Sequence, residues 1–139
     1  MIRIVLDTNI IISAFGWSGN EYNILQKVMN KELLLVLSPE ILDEYKRILL
    51  LQRLEFQEDE VEEFISALLE VAELIYPIYN KQSSIAIRDK DDIKFIICAI
   101  ESKADYIITG DNDLLVIDKY NSIQIISSKN FLETLEKNN

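Results

Sequence analysis

The chain has 139 residues, 49% of them apolar and 27% charged, with 24 acidic against 14 basic side chains, a net charge of −10, one cysteine and no histidine. Such a composition suits one soluble globular domain spanning residues 1–139, and its apolar runs are too short to cross a bilayer. The missing histidine excludes a Ser-His-Asp triad, a Cys-His pair and an imidazole metal site, and a lone cysteine excludes an internal disulfide and fits a reducing cytoplasm.

Ile2 to Leu6 reads as a strand apolar on both faces, and Asp7-Thr8-Asn9 then interrupts the run before it resumes at Ile10. That early carboxylate, with no small-residue cleavage site, argues against a signal peptide. A helix is expected over Glu21 to Asn30 and a second strand over Leu33 to Leu37. The stretch "SPEILDEYKRILL" opens a helix, with Ser38 as N-cap, Pro39 at the first helical position and Glu40 in the first turn. Asp59 to Ala72 is amphipathic, with Val61, Phe64, Leu68, Val71 and Ala72 on one face and the run "EDEVEE" (58–63) in solvent. Leu74 to Ile78 is a further expected strand, confined by Pro77 to an edge or end, and residues 80–90 read as loop. Asp92 to Lys103 is an almost wholly apolar helix that carries Cys98 as a small core residue. Tyr106 to Ile108 and Ile123 to Ile126 are short buried strands, and "SSKNFLETLEK" is a closing helix. Strands alternating with helices predict an α/β fold, a mostly parallel central sheet with helices on both faces.

In such sheets a site lies beyond the carboxyl ends of the strands. Asp7 follows the first strand, and Asp111 follows the Tyr106–Ile108 strand after Thr109 and Gly110, so neighbouring strands would turn both carboxylates into one crevice. Glu44 shares a helical stripe with Ile41, Tyr45 and Ile48, while Asp43, Lys46 and Arg47 take the wet side. Asp92 opens the apolar helix. Helix capping needs only one of Asp89, Asp91 and Asp92. In "TGDNDLL", Gly110 permits a tight turn, and Asp111 and Asp113 are two residues apart. Each feature has an ordinary reading: a boundary glutamate, a cap, an Asx turn, solvated charge. Together they aim several carboxylates at one crevice, where they repel unless a cation sits among them. Without histidine, that cation is a hard one, Mg²⁺ or Mn²⁺, and Asp7 is expected as a ligand.

The segments "VLDTNIIISA", "LSPEILDEYKRIL", "RDKDDIKFIICAIESKADYIITGDNDLL" and "IISSKNFLETL", in that order, resemble the PIN-domain ribonucleases, in the branch described as toxin components of toxin–antitoxin systems. The resemblance implies divalent-metal-dependent hydrolysis of RNA phosphodiester bonds. It implies Asp7, Glu44, Asp92 and Asp111 as catalytic metal-holding residues, Asp113 as a further ligand, and Asn9 and Thr109 orienting ligands or waters. It also implies a homodimer and a small antitoxin partner. The net charge opposes nucleic-acid binding as a bulk property, but metal ions would turn the crevice into a phosphate-attracting one. Lys46, Arg47 and Arg53, with Arg88, Lys90 and Lys94, either line an RNA path or are ordinary solvated charge, and Trp17 either stacks a base or packs.

Three other readings compete. A phosphatase of the haloacid-dehalogenase type needs D-x-D-x-T, whereas this chain has Asp7-Thr8-Asn9-Ile10-Ile11. A response-regulator receiver needs an acidic pair after its first strand, and Leu6 precedes Asp7. A catalytically silent PIN-like module binding RNA or a protein would not need the complete acidic set.

Overall fold

The computed structural model describes residues 1–51, 54–78 and 90–138. Its elements run β1 (Ile2–Leu6), α1 (Thr8–Gly16), α2 (Asn20–Met29), β2 (Leu33–Leu37), α3 (Pro39–Leu49), α4 (Glu58–Val71), β3 (Glu73–Leu74), a 3₁₀ turn (Lys90–Asp92), α5 (Ile93–Ser102), β4 (Tyr106–Ile108), α6 (Asn112–Leu115), β5 (Lys119–Tyr120), β6 (Ile123–Ile126) and α7 (Ser128–Lys137).

The strands form one six-stranded sheet in the order β3-β2-β1-β4-β6-β5, parallel except where β5 pairs antiparallel with β6. Consecutive residues of a strand point to opposite faces. Ile4, Val5 and Leu6 of β1, and Leu35, Val36 and Leu37 of β2, are all fully buried, so both faces of the sheet are covered. This is the expected α/β architecture, and it explains why these strands read as unbroken apolar runs rather than alternating ones.

Helix starts follow local chemistry. The Ser38 hydroxyl accepts from the Ile41 amide at 3.3 Å, with Pro39 just inside α3, and the Ser127 hydroxyl accepts from the Asn130 amide at 3.2 Å to start α7. The acidic run 58–63 lies in solvent apart from Val61, which turns into the core. Leu74 to Ile78 is not a strand beyond its first residue. β3 is Glu73–Leu74, paired with Val36 and Leu37 at the sheet edge, and it ends before Pro77. Three elements have no counterpart in the sequence reading: α1, α6 and β5. The stretch 80–89 and residues Asp89, Arg53 and Arg88 lie outside the described residues, as does the Lys90 side chain.

From β1 the chain proceeds to β2 and β3 on one side of the sheet, then crosses to β4 and β6 on the other. The strand order therefore reverses between β1 and β4. A crevice opens at such a switch point beyond the carboxyl ends of the strands.

Candidate active site

β1 and β4 pair directly, Leu6 opposite Ile108, and the Asp7 amide donates to the Ile108 carbonyl at 3.0 Å. Asp7 therefore leaves the sheet beside the residues that follow β4. The Thr109 hydroxyl joins the two: it donates to Asp7 Oδ2 at 2.6 Å and accepts from the Asp111 amide at 3.0 Å. Thr109 itself is fully buried, and its amide donates to the Ile126 carbonyl at 3.0 Å.

Asp7 is 6% exposed, and its carboxylate makes no helix-capping bond to α1. Burial pushes its pKa above the usual carboxylate value. The Thr109 hydroxyl and Thr8 amide pull it down, and the negative charges of Asp111 and Glu44 push it up. A carboxylate buried among others of the same sign, with hydroxyl and amide donors only, is costly to keep ionised. Asp111 has the ordinary role that its sequence suggested as well: Oδ1 accepts from the Asp113 amide at 2.9 Å and caps α6. A Cβ at Gly110 would meet nothing within 4 Å. Gly110 permits the turn, as the sequence suggested, but its backbone is not in the left-handed region; among the described glycines only Gly19 is.

Glu44 projects from α3 between its wet and apolar faces. Ile41 and Tyr45 beside it are fully buried, and Tyr45 donates its phenolic proton to the Leu6 carbonyl at 2.5 Å, pinning the end of β1 next to Asp7. Glu44 Oε2 accepts from the Thr8 hydroxyl. Its Oε1 lies 2.8 Å from Lys94 Nζ and 3.8 Å from the Arg47 guanidinium. Asp92, the last residue of the 3₁₀ turn before α5, is 8% exposed and makes no capping bond. Its neighbour Asp91 is exposed. Asp113 is half-buried on α6 and Asn9 is exposed on the first turn of α1.

The PIN domain family matches residues 3–113, a span that holds Asp7, Glu44, Asp92, Asp111 and Asp113. The chain belongs to the PIN domain family. PIN domains are nucleases. The chain is 35% identical to an uncharacterized protein of Methanocaldococcus jannaschii, over 98% of this chain and 93% of that one. Its fold is similar to that of a chain of VapBC2 from Rickettsia felis bound to a DNA fragment from their promoter. That likeness has a TM-score of 0.62 at 16% identity, covering 91% of this chain and 98% of the other.

The donor set of this PIN domain is oxygen only: carboxylates and hydroxyls, with Cys98 buried elsewhere in the core. Those residues fit a hard divalent cation rather than zinc or copper. Among the described residues no three acidic, cysteine or histidine side chains are arranged as a metal cage, and both oxygens of Glu44 are engaged by Thr8 and Lys94. Two residues of the site were missed in the sequence. Thr8, 5% exposed, was passed over between Asp7 and Asn9. Lys94 was expected on the surface, along an RNA path or as solvated charge, yet it is only 9% exposed and turned inward onto Glu44. Lys46 and Arg47 are exposed on α3, as expected, and Trp17 is 59% exposed, edge-on to Phe56 at 6.3 Å between centroids. Among the described residues no helix is long and apolar enough to cross a membrane.

Proposed function

We propose that this protein is a divalent-metal-dependent endoribonuclease, one catalytic domain over residues 1–139, and the toxin of a toxin–antitoxin pair. The observation that carries this reading is Asp7: a buried carboxylate at the switch point of a nuclease-family sheet, tied through one threonine to Asp111 and repelled by Glu44 and Asp111. That arrangement costs stability by itself and becomes favourable with a cation in it.

Asp7, Glu44, Asp92 and Asp111 hold Mg²⁺ or Mn²⁺, directly or through water, and Asp113 adds a further oxygen. When bound, the cation polarises the scissile phosphate and acidifies a water molecule. The chain's own groups do the positioning. Thr109 fixes the Asp7 carboxylate and the Asp111 backbone together. Thr8 fixes Glu44, and Tyr45 holds the strand end from which Asp7 projects. Water oxygen attacks phosphorus, its proton passes to a crevice carboxylate, and the bond to the ribose oxygen breaks as that oxygen leaves with the electron pair and takes a proton from solvent water. Asn9 at the mouth orients waters, and Lys46 and Arg47 meet the RNA backbone. The shared fold with the VapBC2 chain supports a small antitoxin protein as partner, with the protein working in the cytoplasm as a homodimer.

The pairing of Glu44 with Lys94 favours a second reading, a PIN-like module that binds RNA without cutting it. One experiment separates the two. Single-stranded RNA is incubated with the protein in Mg²⁺, Mn²⁺ or EDTA, and with Asp7→Asn. Cleavage that needs the metal and Asp7 supports the nuclease. Retention of RNA with no cleavage in any metal supports the binding module, and cleavage undiminished by EDTA refutes the metal mechanism.

A further inference from the structure

Lys94 is in the first turn of α5, where the helix dipole is positive and a cation is disfavoured. It is also buried, which costs an ammonium several kcal/mol unless it is well paired. Its partners are specific. Nζ lies 2.8 Å from Glu44 Oε1 and donates to the Asp91 carbonyl at 2.6 Å, over the edge of the crevice where Asp92 enters α5. The opposite oxygen of Glu44 takes the Thr8 hydroxyl. Glu44 is thus coordinated on both oxygens by the chain itself. The other half of the crevice differs: among the described residues no lysine or arginine forms an ion pair with Asp7 or Asp111, which have hydroxyl and amide partners.

Taking the metal-dependent reading above as its basis, we propose that Lys94 is a resident cation. Its ammonium fills the place on Glu44 that a second divalent ion would take in an all-carboxylate site, so that the protein binds one divalent ion, at the Asp7–Asp111 half. Lys94 is then a positioning residue for Glu44 and a fixed positive charge facing the phosphate path. It gives the site two positive centres while requiring only one from solution.

Counting bound Mn²⁺ tests this without reference to activity. The full chain is titrated with Mn²⁺, with free ion followed by electron paramagnetic resonance and heat by calorimetry. The wild type is expected to bind one ion per chain. Lys94→Met is expected to bind two, Lys94→Arg one, and the double variant Lys94→Met/Glu44→Gln one again. Two ions on the wild type, or one on a folded Lys94→Met, overturns the proposal. If Lys94→Met fails to fold, Lys94→Gln is titrated in its place: two ions are expected, and a single ion on that folded variant refutes the assignment. A wild type that binds no ion refutes the metal-dependent reading itself, a result distinct from a wrong count.

Discussion

Replacing Tyr45 by Phe removes one oxygen atom and changes almost nothing else, because the ring is fully buried and stays so. The lost group is the donor to the Leu6 carbonyl at 2.5 Å, a bond that joins α3 to the end of β1 across 39 residues of sequence. Burial, reinforced by the nearby Asp7 and Glu44 carboxylates, pushes the phenol well above its ordinary pKa, so it is a neutral donor at neutral pH. Depriving a buried carbonyl of a partner costs about 1–3 kcal/mol. A chain of 139 residues unfolds with an entropy of about 0.3 kcal/mol/K. Tyr45→Phe should therefore melt about 3–10 °C below the wild type at neutral pH, by calorimetry or circular dichroism, with a decrement that shrinks in strong alkali, where the phenol ionises in the unfolded wild type but not in the folded one. Metal-dependent cleavage should also fall, since Asp7 is the residue after the freed carbonyl. An unchanged melting temperature would refute the claim that this bond fixes the strand end, and a decrement that grows at alkaline pH would contradict the raised pKa of the phenol.

Three further outcomes follow from the same geometry. The folded pKa of Asp7 is raised, so its contribution to stability is present below the unfolded value and is lost as pH rises through the folded value. Melting curves without metal should thus show Asp7→Asn matching or exceeding the wild type at neutral pH, with the wild type catching up in acid; a variant clearly less stable at neutral pH contradicts this. Asp92 is buried and Asp91 is exposed, so on the proposed ligand set Asp92→Asn should abolish RNA cleavage while Asp91→Asn leaves most of it, and the reverse order in the same assay would move the ligand by one residue. Burial, with a smaller push from Glu101, raises the Cys98 thiol to about 12. A thiol reagent should modify it only after denaturant is added, and rapid labelling of the native protein would count against the packing around α5.

How much of this was legible in the sequence depends on how each element announces itself. β1, β2, β4 and β6 are short apolar runs buried on both faces, and their limits were readable because charged or turn residues bound them. α3 carries its own start signal in Ser38 and Pro39. α1 was missed because three consecutive buried residues, Ile10, Ile11 and Ile12, hide the short polar stripe of Asn9, Ser13 and Gly16. α6 has four residues and β5 two, too few for any pattern. At the site, Asp7 and Asp111 were expected to come together if β1 and β4 were neighbours, and those strands do pair, with Thr109 bonded to both residues. Lys94 was misread from residue type. Lysines are mostly exposed, and only the phase of α5, which buries Lys94 with Cys98 one turn on, turns it onto Glu44. The clue available was a lone cation in a helix's first turn, where the dipole disfavours it. Thr8 offered no comparable signal, because a threonine after a strand is an ordinary helix-start residue.

The central claim, that Asp7 is tolerated in the core because it holds a divalent ion, is tested most directly by melting curves of the wild type and Asp7→Asn, each with EDTA and with Mn²⁺. This measurement does not depend on knowing the RNA target. An ion that binds only the folded state stabilises it by about 2.7 kcal/mol at a hundredfold excess over Kd, which for this chain is a rise of about 9 °C. The account predicts that rise for the wild type and a much smaller one for Asp7→Asn. Equal rises in both proteins, or none in the wild type, would contradict it.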